Sequence, residues 1–240
     1  MDPRFRGDDA LVVFTKLSPI SVILKNMIKL YNYFRSSAAY RVRIALNLKS
    51  LPYEYLPVHL VKGEQRDERY RTINPLALVP TLVDERGTIS QSMAIIEYLD
   101  ETVPDPPLLP ATPEARARVR SIAQAIACDI HPLNNLRVLK YLTGTLGASE
   151  GAKNAWYRHW IEIGLAALEE QLAADHRTGA FCHGATPTLA DICLVPQLAN
   201  ARRYALSIDA YPTLERIESN CIALDAFARA APDRQPDATQ

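Results

Sequence analysis

Between Pro104 and Pro110 the chain reads Pro-Asp-Pro-Pro-Leu-Leu-Pro, and its patterning changes across that stretch. Proline lacks a backbone donor and fixes φ, so a run this dense belongs to neither a helix interior nor a central strand. Ahead of it, short alternating apolar runs interleave with helical spacing; behind it the spacing is helical. The chain therefore divides into a small mixed α/β unit over 27–107 and an all-helical unit over 111–240, with 1–26 set apart from both. At 240 residues it is long enough to bury a proper core in either arrangement.

In the first unit the order is a strand at Ile28–Tyr33, a helix over 38–48 and a strand at Tyr53–Val58. A short helix over 62–72, strands at 79–84 and 88–90 and a helix from Gln91 follow. That order, βαβ-α-ββα, suits a small mixed sheet with helices on its faces. In the second unit Thr112-Pro113-Glu114 supplies an N-cap, a proline at the first helical position and an early acid. A long helix is expected over 152–172, and Thr188-Leu189-Ala190-Asp191 reads as a capping box opening another.

Residues 1–26 are charged and then mildly apolar without a period, and Lys16, Ser18 and Pro19 interrupt the apolar part. They lack the basic start, unbroken apolar centre and small-residue cleavage site of a signal peptide. Met27 directly precedes the first strand pattern, so 1–26 are expected to be a disordered upstream extension. No run reaches the length of a membrane span.

Lys plus Arg and Asp plus Glu number 27 each, which leaves no global field to draw the chain to nucleic acid or an acidic membrane. The expected partner is a small molecule or another protein chain. The four cysteines have no CxxC spacing and the five histidines no ligand-like pairing, consistent with a reduced, cytosolic, metal-free protein. Cys182-His183 is discounted as a nucleophile and base, since sequence neighbours rarely face each other.

Three separated stretches of the first unit each offer a group for an anion or a peptide. Ser36-Ser37 stands at a strand-to-helix turn, where hydroxyls cap free N–H groups or, together with those groups and the helix dipole, hold a thiolate or carboxylate. Val79-Pro80 begins a strand, a place for proline at an edge or in a cis bond; a cis bond would free the Val79 backbone to pair with a peptide-like ligand. An ordinary turn proline is the alternative. Gln91-Ser92 opens the next helix, where capping alone would explain Ser92 but a carboxylate would also fit.

Together the stretches Arg35-Ser36-Ser37-x-x-Tyr40-Arg41-Val42-Arg43-Ile44-Ala45-Leu46, Asn74-Pro75-x-x-x-Val79-Pro80-Thr81-Leu82 and Gln91-Ser92-x-Ala94-Ile95-Ile96-Glu97-Tyr98-Leu99 resemble the zeta class of glutathione transferases. The resemblance runs from Met27 almost to the end, through Leu189–Gln197 and the tail Arg234-Gln235-Pro236-Asp237. It implies a thioredoxin-like N-terminal domain, a helical C-terminal domain, a homodimer and glutathione as cofactor. By position, Ser36 and Ser37 would activate the glutathione sulfur, Gln65 would lie near its glycyl end, and Val79 would pair with its cysteinyl backbone. Gln91 and Ser92 would take its γ-glutamyl carboxylate. His131 and Asn135 would contact the sulfur site, and Arg35, Arg203, Asn135 and Arg137 a dicarboxylate substrate, with Arg203 and His131 near the chemistry. Two departures stand out. Ala38 replaces a cysteine common in the class, and Leu136 stands where some members carry arginine.

The implied activity is glutathione-dependent cis–trans isomerisation of maleylacetoacetate to fumarylacetoacetate in tyrosine and phenylalanine breakdown. A free thiol of pKa about 8.5 is only a few per cent ionised near neutrality, so such a site must lower it. Isomerisation of maleylpyruvate in gentisate breakdown is one alternative, and conjugation or dehalogenation of small halo acids another. A binding module that has lost glutathione chemistry is the non-enzymatic alternative, which intact Ser36 and Ser37 disfavour.

Overall fold

The structure, a computed structural model, describes residues 27–238. The expected extension over 1–26 lies outside the described residues. Strand β1 (Ile28–Asn32) runs parallel to β2 (Tyr53–Pro57), with helix α1 (Ser37–Leu48) between them in sequence. Strands β3 (Thr81–Asp84) and β4 (Gly87–Ser90) add antiparallel and give the order β2-β1-β3-β4. Along β1, Ile28, Leu30 and Asn32 are buried while Lys29 is exposed, the period-two alternation of a strand with one covered face. The short helix expected over 62–72 divides into a 3₁₀ turn at Glu64–Arg66 and α2 (Glu68–Arg71). Helix α3 (Ser92–Thr102) closes this half, and α1 packs against it.

The proline-rich connection is held by a buried lysine. Lys49 Nζ donates to Asp100 Oδ1 at 2.6 Å, Val103 O at 2.6 Å and Pro106 O at 2.7 Å, and Asp100 Oδ1 also accepts from Leu108 N–H at 2.8 Å. Charge-assisted bonds to buried carbonyls replace the donors that the prolines lack. The stretch is thereby a fixed joint, with Leu108 O accepting in turn from Leu189 N–H at 2.8 Å in the helical half.

Beyond it lie α4 (Pro113–Gln124), α5 (Leu136–Gly144), α6 (Glu150–Ala174), α7 (Leu189–Arg203), α8 (Pro212–Ile222) and α9 (Asp225–Ala230). Thr112 caps α4 through Ala115 N–H at 3.3 Å, with Pro113 in the first turn as expected. The long helix expected over 152–172 extends further at both ends, and Ser149 caps it. At α7 the capping box is formed. Asp191 Oδ2 accepts from Thr188 N–H at 2.8 Å while Oδ1 takes Cys182 N–H at 2.7 Å, so one buried carboxylate starts the helix and pins the preceding loop. Twelve of its residues, from Leu189 to Ala201, are buried, which makes α7 the spine of the molecule.

One apolar cluster runs from Ile28 and Leu30 through Ile96 and Leu99 to Leu194 and Phe227, so both halves share a core. Among the described residues no helix is long and apolar enough to cross a membrane.

Candidate active site

The turn between β1 and α1 separates the two serines by role. Ser36 is the N-cap: its Oγ accepts from Ala39 N–H at 3.2 Å and its own N–H donates to Tyr33 O at 2.9 Å. The capping role therefore holds for Ser36, whose hydroxyl proton is still free to be donated. Ser37 occupies the first helical position, and its hydroxyl makes no hydrogen bond to any described residue. The N–H groups of Ser37 and Ala38 precede the first intrahelical acceptor, and with that hydroxyl they form a concentrated set of donors.

That turn faces a cleft of about 580 Å³ lined by both halves of the chain. Of the residues singled out in the sequence, Arg35, Ser36, Ser37, Gln65, Val79, His131, Asn135, Arg137 and Arg203 lie on its walls. Gln91 and Ser92 lie outside that lining, at the start of α3. The β3–β4 register sets Ser90 opposite Thr81, so the α3 terminus sits beside the Val79-Pro80 turn. The Val79-Pro80 bond is cis, and the Val79 N–H and C=O pair with no backbone group among the described residues. Gln65 Oε1 is likewise buried without a partner. Gln91 adopts φ 75, a conformation side-chain-bearing residues seldom take and one that recurs at ligand clamps.

Among the described residues, the walls carry Arg35, Arg66, Arg137, Lys140 and Arg203 and no carboxylate. In a chain with equal numbers of acids and bases, this is a local concentration of positive charge. Arg35 and Arg203 lie over the rings of Phe34 and Tyr204 at 4.9 and 5.3 Å, and neither is paired with a carboxylate among the described residues. Burial, and after it the Arg41 charge, pulls the His131 pKa down to about 3, so its imidazole is neutral near pH 7 and offers one N–H and one lone pair. Burial pushes the Tyr157 hydroxyl up to about 12, and it donates to Asn200 Oδ1 at 2.7 Å.

Two of the protein's thiols, Cys182 and Cys193, are buried and held protonated. Burial raises Cys193 to about 11 and Cys182 well above the ordinary thiol range. The discounted Cys182-His183 pair is indeed apart in role, since His183 Nδ1 meets Arg118 Nη1 at 3.2 Å.

Sequence reading missed Arg66, Lys140, Tyr157 and Asn200 on the walls. Lys140 lies three residues beyond Arg137, a helical spacing that puts both on one face and could have signalled it. Tyr157 comes from inside α6 and Asn200 from the last turn of α7, and only the packing of the two helices brings them together. His131 follows a π-helical turn over Ala125–Ile130, its N–H reaching back to Ile126 O. Such turns recur at functional sites and carry no composition signature.

A donor-rich serine turn on a thioredoxin-like sheet, opening onto a cleft roofed by an all-helical domain, defines a glutathione transferase fold. The family model for the glutathione S-transferase N-terminal domain matches residues 26–101, and that for the C-terminal domain residues 161–218. A probable maleylacetoacetate isomerase of Vibrio cholerae is 53% identical over 211 residues, covering 87% of this chain and 97% of that protein. The holo structure of a maleylpyruvate isomerase, a bacterial zeta-class glutathione S-transferase, superimposes with a TM-score of 0.85 at 50% identity over 87% of this chain and 99% of that one. The structure of a maleylacetoacetate isomerase from Methylobacterium extorquens with bound malonate and glutathione gives 0.85 at 44% identity, covering 87% and 98%. The chain belongs to the glutathione S-transferase family and, within it, to the zeta class.

Proposed function

We propose that the chain isomerises maleylacetoacetate to fumarylacetoacetate with glutathione as cofactor. The observation that carries this reading is a cleft with five cations and, among the described residues, no carboxylate, beside a helix-start turn with free hydroxyl and N–H donors. Unused valences fit a bound tripeptide: the free Ser37 and Ala38 N–H groups, the unpaired Val79 backbone and the orphaned Gln65 Oε1. When bound, glutathione supplies a thiolate that adds reversibly to the cis double bond and leaves after rotation about the resulting single bond.

The Ser36 and Ser37 hydroxyls and the α1 N-terminus lower the thiol pKa by stabilising negative charge on sulfur. Val79 pairs with the cysteinyl backbone, Gln65 contacts the glycyl end, and Gln91 and Ser92 hold the γ-glutamyl carboxylate. Arg35 and Arg203 grip the substrate carboxylates, each able to make two parallel bonds, and Arg137 extends that field. Neutral His131 or Asn135 donates to the substrate oxygen on which charge develops. The working unit is a homodimer in the cytoplasm, in keeping with the family resemblance.

Isomerisation of maleylpyruvate is the second reading, favoured by the 50% identity to an enzyme of that name. Leu136 supports the longer substrate as the preferred one. It lines the cleft between Asn135 and Arg137 and leaves an apolar wall where some members of the class carry arginine. The test is Arg203→Ala assayed with both diacids. KM for the diacid is expected to rise at least tenfold with KM for glutathione little changed; equal rises would make Arg203 a support of the fold.

A further inference from the structure

Helix α1 carries two buried arginines two residues apart, and their surroundings differ. Arg43 donates from Nε to Ala230 O at 3.0 Å, from Nη1 to Asn32 Oδ1 at 3.1 Å and from Nη2 to Phe34 O at 3.1 Å, tying the end of α9 to β1. Its charge sits among oxygens. Arg41, only 1% exposed, makes one hydrogen bond, from Nη1 to Ser92 Oγ at 3.3 Å. Its Nε and Nη2 are buried without partners, and no carboxylate pairs with it among the described residues. Its charge is felt by Cys193 and His131, neither of which offers a countercharge.

A buried cation with two orphaned donors is costly, and an anion docked nearby would offset that cost. Beyond Ser92 lies the first turn of α3, an eleven-residue helix whose N-cap, Gln91, makes no side-chain cap bond, so the leading N–H groups are open. A guanidinium has donors only, so toward Arg41 the Ser92 oxygen must accept. The hydroxyl's one proton is then free to be donated on the other side.

We propose that Arg41 is a positioning residue for the γ-glutamyl carboxylate of glutathione. It holds the Ser92 hydroxyl as an outward donor and sets an unneutralised positive charge behind the α3 terminus where that carboxylate docks. The proposal rests on the assignment of Gln91 and Ser92 to the carboxylate. A carboxylate oxygen bonded to Ser92 Oγ lies within about 6 Å of the guanidinium, inside the range where opposite charges act strongly in a desolvated site. The sequence marks Arg41 only as one of two arginines in Tyr-Arg-Val-Arg. Their different hydrogen bonding is what separates a clamp for the fold from a charge for the ligand.

The test compares glutathione with 4-aminobutyryl-cysteinyl-glycine, which lacks only the γ-glutamyl carboxylate, on wild type, Arg41→Gln and Arg41→Lys. Wild type is expected to prefer glutathione. Arg41→Gln should weaken glutathione about tenfold or more, leave the analogue's affinity unchanged and keep kcat at saturating glutathione within about threefold. Arg41→Lys, which retains the charge, should recover part of the loss and also serves if Arg41→Gln does not fold; it should then weaken glutathione a fewfold with the analogue unaffected. Equal weakening of both ligands in either variant would overturn the proposal and leave Arg41 a support of the fold. A wild type that binds both ligands alike would overturn the assignment of Gln91 and Ser92, and the proposal with it.

Discussion

Ser36 and Ser37 are adjacent and chemically identical, yet the backbone gives them separable duties. Ser36 Oγ is committed as acceptor to Ala39 N–H, whereas the Ser37 hydroxyl has no partner among the described residues. Ser36→Ala should therefore lose turnover and about 1 kcal/mol of stability, the worth of an N-cap. Ser37→Ala should lose turnover with its thermal midpoint nearly unchanged. Kinetics and thermal melts on both variants decide it, and a Ser37→Ala enzyme with wild-type turnover would remove that hydroxyl from the thiolate site. His131 gives a prediction about pH. Burial holds its pKa far below the ordinary value, so it stays neutral until the solution is strongly acid. His131→Leu should lower kcat by about a hundredfold or more, as for a lost oxyanion donor, without changing the shape of the pH profile between about pH 5 and 8. An inflection near pH 6 that vanishes in the variant would show that the imidazole titrates during turnover.

At the scale of elements, the serine turn is held from the far end of the chain. Asp237 Oδ2 accepts from Phe34 N–H at 3.1 Å, and its other oxygen takes the Tyr55 hydroxyl, so the tail clamps β1 to β2 just before Arg35. Asp237→Ala should lower the thermal midpoint by several degrees, consistent with about 1 to 3 kcal/mol for buried donors left unpaired. It should also raise KM for glutathione, because the turn loosens; an unchanged KM would show that the turn holds itself. This long-range support separates what is legible in the sequence from what is not. The N-cap at Thr112, the capping box at Thr188, the strand alternation of β1 and the turn serines are local signals, and they place their elements to within a few residues. Helices α5, α8 and α9 are short or lack a side-chain cap, and they form because packing selects them, which periodicity does not show. The cleft divides in the same way. Ser36, Ser37 and Val79 stand at element boundaries with visible chemistry, whereas Tyr157 and Asn200 enter the site from within helices and read as core. His131 stood out as a residue, but the π-helical turn that aims it leaves no trace in the sequence.

Across the whole molecule, the charge balance conceals the feature that matters. Equal acids and bases give no net field, yet folding gathers five cations and, among the described residues, no carboxylate onto one cleft between the halves. Neither half provides the cleft alone: Ser36 and Ser37 come from the sheet domain, and His131, Asn135 and Arg203 come from the helical domain. The shared apolar core and the Lys49 joint keep the two faces in register. The central claim is that these faces serve a thiolate brought by glutathione rather than a nucleophile of the protein's own. The direct measurement is the rate of cis-to-trans conversion of maleylacetoacetate by the wild-type chain, with and without glutathione, with glutathione itself quantified before and after. The account predicts turnover only when glutathione is present, with none consumed. Equal turnover in its absence, or its stoichiometric loss, would contradict it.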